Sequence, residues 1–242
     1  MRCFFVTILL VSCLTLYGQE APPAGQTWSG NFGAGLSLTR GNSDTKNVNL
    51  ALQLAQRINA KNVAKYDAFY LRGDQNGDLV IDRTTLGGRD EYTISPLMYA
   101  FGDLHFLRDR FKDIDYLVTP TVGVGDHFIK EKDLDLAAEG GLGFVVEKDA
   151  GLARQTSGAL TAKQTLVWKF SPAATLGQSA AGLWKTSSLA DALYHLEASL
   201  ASDLTTRSQL KVSALDDYKT RPPRPGIKKN DISIIAALVM KF

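Results

Sequence analysis

The sequence predicts an all-β fold, a transmembrane antiparallel up-and-down β-barrel of about twelve strands. Apolar and polar residues alternate from residue 28 almost to the end of the chain, and a period of two is the side-chain period of a β-strand. The apolar positions keep one parity throughout, and aromatic residues concentrate near the ends of the segments. A soluble sandwich would show the same alternation, but its edge strands are usually irregular, whereas these segments are regular and long enough to span a barrel wall.

Turn signals rich in Gly, Asn, Asp, Pro and Ser separate the predicted strands. In LSLTRGNSDTKNVNLAL, for example, the polar GNSDTK joins two alternating arms and predicts a hairpin. The predicted spans are 28–40, 46–57, 63–73, 84–95, 98–108, 114–128, 134–148, 156–170, 174–187, 190–202, 206–218 and 231–242.

Even-numbered positions carry the apolar residues of the predicted strands, and odd-numbered positions carry the charges. In a membrane barrel the apolar set faces lipid and the polar set faces the lumen. Asp90 and Pro120 do not fit this pattern, and a bulge near Gly87 and Gly88 would turn Asp90 inward. The charged residues predicted to face the lumen are Lys65, Asp67, Arg89, Glu91, Asp103, Asp115, Asp135, Glu139, Glu147, Lys163, Lys169, Glu197, Lys211, Asp231 and Lys241.

An even number of strands places both chain ends on the periplasmic side of an outer membrane. Short periplasmic turns and longer outer loops are then expected, with GDQNGDLVID and residues 219–230 as long outer connections. The aromatic residues form two bands: Trp28, Trp168, Phe170 and Phe242 at the periplasmic ends, and Tyr70, Trp184 and Tyr218 at the outer ends.

The first residues, MRCFFVTILLVSCLTLYGQE, predict export to the outer membrane of a Gram-negative cell. An early Arg2, an apolar run and then Gly18 form the layout of a signal peptide over residues 1–18. A periplasmic linker over residues 19–27 and a barrel over residues 28–242 follow. The alternative, lipidation at Cys13, would leave an unusually short apolar core. Both cysteines of the chain lie in the signal segment, so the mature protein would contain no disulfide.

Three stretches resemble the bacterial family of salt-induced outer-membrane proteins, a β-barrel family of unknown function. They are WSGNFGAGLSLTRGNSDTKN, then YLVTPTVGVGDHF preceded by FLRDRFKDID, and DDYKTRPPRPGIKKNDISIIAALVMKF. The resemblance covers nearly the whole mature chain. It implies the fold and the location, and it implies a link to salt or osmotic stress, but it supplies no catalytic motif.

Two pairs of opposite charges predict a lumen charge network. Arg89 lies opposite Asp103 across the turn at Pro96, and Glu197 lies close to Lys211 across the next-to-last hairpin. Such pairs across neighbouring strands stabilise modestly. They fit either a plugged interior or a narrow path for small solutes.

The loop of the last hairpin and the final residue of the chain predict partners in the cell envelope. The basic residues Arg221, Arg224, Lys228 and Lys229 suit lipopolysaccharide phosphates, although exposed basic side chains usually only solvate. The terminal Phe242 resembles the signal by which barrel-assembly machinery recognises its clients. Outer-membrane lipid is the surrounding partner, and the formal net charge of +2 gives no indication of nucleic-acid binding.

Neither an enzyme nor a cofactor or metal site is expected. His105, His127 and His195 occupy odd positions on different strands, whereas a lipid-hydrolysing barrel needs its Ser and His reachable from lipid. The loop from Asp74 to Asp82 has a calcium-like spacing of oxygen ligands, but its glycine comes too early and Thr85 replaces the expected Glu.

The function expected from these patterns is a narrow, weakly selective pore for small solutes or ions. Small inward positions would leave room in the bore, and mixed charges would neutralise one another. The alternatives are a non-conducting structural or surface-binding barrel and, less favoured, a soluble exported β-sandwich. The small inward positions are Gly33, Gly35, Gly123, Gly125, Gly141 and Gly143.

Overall fold

Twelve β-strands form one closed antiparallel barrel, which confirms the predicted fold class. The computed structural model describes Pro22 and residues 25–39, 45–110, 113–221 and 229–242. Among these residues, no helix is both long enough and apolar enough to cross a membrane.

The strands follow the predicted spans closely, because the alternating pattern and the turn residues mark both their faces and their ends. They are β1 Trp28–Thr39, β2 Thr45–Arg57, β3 Asn62–Gln75, β4 Asp78–Thr93, β5 Met98–Asp109, β6 Ile114–Lys130, β7 Leu134–Asp149, β8 Gln155–Ser171, β9 Ala174–Lys185, β10 Ser188–Thr205, β11 Ser208–Lys219 and β12 Asn230–Lys241.

Each strand pairs with its neighbours in sequence, and β1 pairs with β12 to close the wall. We call the rim that contains Trp28 and Phe242 the terminal end and the rim that contains the turn at Asn76 the distal end. Closure leaves no edge strand, so the backbone groups of both terminal strands find partners inside the wall.

One distal connection is shorter than the sequence suggested, whereas the other expected long connection, residues 219–230, agrees with the strand ends at Lys219 and Asn230. The expected long loop GDQNGDLVID is wrong, because β3 and β4 run to Gln75 and Asp78 and leave only Asn76 and Gly77 in the turn. Both turn residues have positive φ, 54° and 90°, as a tight hairpin turn requires. The calcium-like spacing therefore belongs to a hairpin.

The parity of the faces is as predicted. Val122 and Leu142, at mid-height on the outside, are 64% and 62% exposed, whereas Leu71 and Leu215, on the inside, are 0% and 2% exposed. Asp90 also faces outward, because the β3–β4 register runs without a shift from Asn62 to Gly73. No bulge turns it inward, and the Asn62 side chain donates to its carboxylate at 3.2 Å.

Pro120 lies on the outside of β6, opposite Leu104 of β5. Since proline has no N–H to donate, the pairing of β6 with β7 is interrupted between Val118 and Thr121. Pro120 therefore removes backbone hydrogen bonds between β6 and β7, whereas the pairing of β6 with β5 continues past it.

Aromatic side chains form a band at each end of the barrel. At the terminal end, the rings of Trp28 and Tyr66 stack with centroids 6.4 Å apart. At the distal end, Trp184 Nε1 donates to the Tyr194 hydroxyl at 3.1 Å. The predicted members Trp168, Phe170, Phe242 and Tyr218 are exposed, and Tyr70 is half-buried.

The last residue closes the barrel at the terminal end. Gly30 N donates to Phe242 O at 2.8 Å, and Phe242 N donates to Gly30 O at 3.0 Å. A Cβ on Gly30 would lie 2.7 Å from the Phe242 ring and 2.9 Å from the carbonyl oxygen of Gln53. The ring therefore lies over a position where β1 offers no side chain.

We expect Gly30→Ala to weaken this closure, because the new methyl group meets a backbone oxygen that cannot move aside. Overpacking of this kind lowers the free energy of unfolding by about 1–3 kcal/mol. Urea titration of the folded form, read as the fraction that migrates anomalously in an unboiled detergent gel, measures the change.

Gly33→Ala is the matched control, since the nearest atoms to its Cβ would be 3.7 Å away. Equal unfolding midpoints for the two variants would contradict the role of the Gly30–Phe242 contact.

Candidate functional site: the lumen

The interior of the barrel contains an elongated cavity of about 760 Å³. It follows the arc of the wall from β3 to β11 and reaches Ser95 and Met98 near the terminal end and Leu107 and Ile114 near the distal end. Among the described side chains of β1, β2 and β12, only Gln53 lines it. The lumen is thus open along one side and filled along the other.

Arg89 is the centre of the open side. Its guanidinium contacts Glu91 at 2.7 Å, Glu139 at 2.9 Å and Asp103 at 3.6 Å. Its Cζ also lies 4.0 Å from the centroid of the Phe101 ring, an arrangement that favours a cation. Since Glu139 belongs to β7, three strands from Arg89, this cluster extends along the wall and does not stay within one hairpin.

Inward glycines make room for the large side chains next to them. Phe101 is the register partner of Gly123, and Tyr99 is the partner of Gly125. A Cβ on either glycine would collide with the ring opposite. Both rings therefore lie flat against the wall, which keeps the adjacent cavity open.

Polar side chains also lie over glycines of the neighbouring strand. Asn47 and Asp67 lie over their register partners Gly73 and Gly87, and Asn49 lies over Gly35. Much of the room expected from inward glycines is therefore occupied. At Gly143 it is the backbone of Pro120 that approaches, and Gly33 contacts only Ala51 and Val239.

Ion pairs cross the lumen near the distal end. Arg83 of β4 reaches Asp217 of β11 at 3.5 Å, and Lys219 of β11 reaches Glu147 of β7 at 2.6 Å. Lys185 of β9 contacts the other oxygen of Glu147, also at 2.6 Å. These partners sit on strands that are not neighbours, so side chains from separate parts of the wall meet inside the barrel and narrow it.

Two apolar clusters flank these pairs in the distal half of the lumen. One joins residues of β2, β3, β4, β11 and β12, and the other joins residues of β5 to β9. The first consists of Ala51, Phe69, Leu71, Ile81, Leu215 and Ile235 with Val80, and the second of Ile114, Leu117, Val145 and Ala159 with Leu107 and Leu183. All but Val80 and Ile114 have odd numbers. The lumen is therefore apolar at this height, although the sequence pattern indicated charged residues at odd positions.

The filled side contains a buried ion pair. Lys211 Nζ lies 3.1 Å from Glu197, and their side chains are 5% and 0% exposed. Ser213 donates a further hydrogen bond to the same carboxylate at 3.2 Å. Neither charged residue lines the cavity.

The four residues expected in one charge network therefore lie in two separate clusters. Arg89 meets Asp103 in the open side, and Glu197 meets Lys211 in the filled side. Hairpin register pairs Arg89 with Asp103. Glu197 and Lys211 have other register partners, Leu215 and Ala201, so the long Lys211 side chain has to reach along the neighbouring strand. Glu139 and the Phe101 ring were missed, because their contacts with Arg89 depend on how far the long guanidinium reaches across neighbouring strands.

The histidines stay apart, each next to a carboxylate. His127 contacts Asp135 at 2.8 Å, and His195 contacts Asp217 at 2.7 Å. His105 lies 3.6 Å from Asp103. No group of three metal-ligating side chains occurs in the described part of the chain.

The predicted basic loop is only partly described. Arg221 is exposed at the distal end and donates to Ser188 Oγ at 3.1 Å, and Lys229 is exposed at the start of the return to β12. Arg224 and Lys228 lie outside the described residues.

The charges that line the cavity balance. Six are Lys or Arg and six are Asp or Glu: Lys65, Arg83, Arg89, Lys130, Lys163 and Lys219 against Asp67, Glu91, Asp103, Asp135, Glu139 and Asp217. A conduit with this lining has almost no net fixed charge when its histidines are neutral.

A family model described as "Protein of unknown function, DUF481" matches residues 32–242. The chain belongs to this family. The region that matches the DUF481 family model includes all the strands except the first residues of β1. No curated protein matches the sequence.

Solved structures show where the fold of this DUF481 member recurs. The NanC porin has 10% identity, a TM-score of 0.53, and coverage of 88% of this chain and 98% of its own. An outer membrane channel from Pseudomonas putida F1 has 12% identity, a TM-score of 0.55, and coverage of 92% and 100%. The translocator domain of autotransporter NalP from Neisseria meningitidis has 12% identity, a TM-score of 0.53, and coverage of 90% and 88%. At such identities the similarity concerns the barrel fold alone.

We expect Lys211→Met to lower the free energy of unfolding by about 3–5 kcal/mol, since it leaves the buried Glu197 carboxylate without its cation. Adding Glu197→Gln removes the second charge and should recover most of the loss, while the amide still accepts from Ser213. Urea titration of the single and double variants measures both effects. Additive losses would show that the two charges do not depend on each other.

Proposed function

We propose that this protein is an outer-membrane barrel that forms a narrow, weakly selective pore for small solutes or ions. One observation carries the proposal: a cavity lined by balanced charges and by apolar side chains follows the wall from near the terminal end to near the distal end. The NanC porin and the Pseudomonas putida channel support it, since barrels of this fold conduct in other proteins.

The outer surface supports a membrane location. Large apolar side chains such as Val122, Leu142 and Ile234 are well exposed, and an aromatic band lies at each end. An apolar belt between two aromatic girdles matches a bilayer with its two interfaces. Export would rest on residues 1–18 acting as a signal peptide.

The side chains that cross the lumen support a narrow path. A barrel of about twelve strands could enclose a wider channel than an eight-stranded one. Here the ion pairs Arg83–Asp217 and Lys219–Glu147 and the two apolar clusters occupy the distal half. Only small solutes would pass beside them, and large ones would be excluded.

The apolar clusters also favour the second candidate, a non-conducting structural or surface-binding barrel. An apolar constriction can block ions by excluding water. In that case the exposed Arg221 and Lys229, with the rest of the basic loop, would bind lipopolysaccharide phosphates through charge-assisted hydrogen bonds.

Transport or binding, without catalysis or a cofactor, is the role we infer. The three histidines lie on separate strands and contact separate carboxylates, so no histidine joins a nucleophile in a recognisable triad. The link to salt or osmotic stress rests on the sequence resemblance alone, and we propose it as the condition in which the pore operates.

The terminal residue fits a role in assembly. Phe242 is 67% exposed, and its backbone pairs with Gly30 at the seam. We propose that barrel-assembly machinery recognises this residue before the seam closes.

We expect purified protein in planar bilayers to show a low single-channel conductance with a reversal potential near zero in a KCl gradient. Arg89→Ala should raise the K⁺/Cl⁻ permeability ratio several-fold, because it exposes Glu91, Asp103 and Glu139 to the path. Single-channel recording in asymmetric KCl measures both quantities.

Lys148→Ala is the charge-matched control, since Lys148 pairs with Asp115 at 3.4 Å and does not line the cavity. Folded barrels that stay electrically silent in wild type and in Arg89→Ala would overturn the pore and leave the structural or surface-binding barrel.

A separate prediction concerns the membrane. Leu142→Arg should lower the free energy of unfolding from a bilayer by about 2–4 kcal/mol, because the charge faces lipid at mid-height. Thr161→Arg should lower this free energy much less, because Thr161 lies on the neighbouring strand β8 and lines the cavity. Folding titrations in liposomes compare them, and equal costs would contradict the assignment of the two faces.

Ala51 and Ala237 also face inward, but neither position would accept Arg. These two inward residues are 2% and 4% exposed in the filled side of the lumen. Arg would have no water there, so neither position tests which face meets lipid.

A further inference from the structure

The outer wall of the barrel contains an apolar groove of about 770 Å³ over β3 to β7. Its floor is built from small residues, Ala64, Gly88 and Gly102, and its sides include Tyr66, Leu104 and Val122. A Cβ on Gly88 would meet no atom within 4 Å. The volume falls within the range of ligand pockets, about 300–1,000 Å³.

A polar site lies at the terminal end of this groove. The groove contacts Asp90, an exposed carboxylate whose partner among the described residues is the Asn62 amide at 3.2 Å. The Asp90 carboxylate thus faces outward at the level where the apolar wall ends, and among the described residues it has no cationic partner.

A cation of the protein lies one step closer to the rim. Lys61 belongs to the turn before β3, and its Nζ lies 5.8 Å from the centre of the Tyr92 ring. Tyr92 is the register partner of Asn62. Going from the groove toward the rim, the order is therefore an apolar trough, a carboxylate that can accept from a cation, and a lysine able to bind a phosphate.

This order matches one class of molecule, and the match rests on the proposed membrane location. We propose that the groove binds a phospholipid with an ethanolamine headgroup, its acyl chain over Gly88 and Gly102. The primary ammonium donates to Asp90, and Lys61 contacts the phosphate. A trimethylated ammonium has no N–H to donate, and a glycerol headgroup has no charge to offset Asp90.

The proposal also explains why Asp90 is tolerated on the outer face. A carboxylate at the edge of a membrane is costly unless a partner offsets its charge. The bound ammonium supplies that partner from the bilayer itself.

The test uses the full barrel in nanodiscs of equal phosphatidylethanolamine and phosphatidylglycerol, followed by native mass spectrometry of the released protein. We expect one retained phosphatidylethanolamine on wild type. Gly88→Leu fills the groove and should abolish retention. Gly140→Leu is the matched control, because Gly140 also faces outward with no atom within 4 Å of its Cβ but lies outside the groove.

Asp90→Asn should keep a bound lipid and lose the preference for ethanolamine at least several-fold. Equal retention of the two lipids by wild type, or equal retention by wild type and Gly88→Leu, would overturn the proposal. Conductance of the same preparations separates the two ideas: a barrel that conducts but retains no lipid removes the groove site and keeps the pore, whereas a barrel that does not enter bilayers removes both.

Discussion

Closure of β1 onto β12 is the constraint on which the rest of this barrel depends. The backbone bonds between Gly30 and Phe242 complete a ladder in which both terminal strands are paired. Once the wall is closed, the backbone groups find partners within it, and only the side chains can differ between inside and outside. The fixed circumference also limits the interior, so inward side chains compete for one volume.

Pairing between glycines and large side chains resolves part of that competition. Phe101 over Gly123 and Asp67 over Gly87 each lie on a partner without a side chain. A flat ring occupies less of the bore than one that points toward the axis, and it offers its face to a cation. Arg89 uses the Phe101 face in this way while it contacts three carboxylates.

Sequence patterns were sufficient for the wall and insufficient for the filling. Strand number, parity and the aromatic bands follow from local alternation, which a period of two makes readable along the chain. Arg89–Asp103 follows from the register of a single hairpin, whereas Glu197–Lys211 joins neighbouring strands at positions that are not register partners. Contacts such as Arg83–Asp217 join strands that are far apart in both sequence and sheet order, and alternation carries no information about them.

Two further features, a short turn and an apolar part of the lumen, differ from what the sequence pattern predicted. The predicted turn around Asn76 and Gly77 was too long, because the polar residues next to it were assigned to a loop, although they continue the strands. The apolar interior was not predicted, because the odd positions were assigned to charges, whereas Phe69, Leu71 and Ile81 also have odd numbers. A parity rule states which residues share a face, and it does not state how polar that face is at each height.

The one-sided position of the cavity means that the circumference of this barrel is divided by task. Any solute would travel off-centre, beside β3 to β11, while β1, β2 and β12 form a dense sector that holds the seam shut. Variation along the first group of strands would tune permeation with little risk to closure. Variation in the dense sector would act on folding first, so the two properties could evolve almost independently within a single sheet.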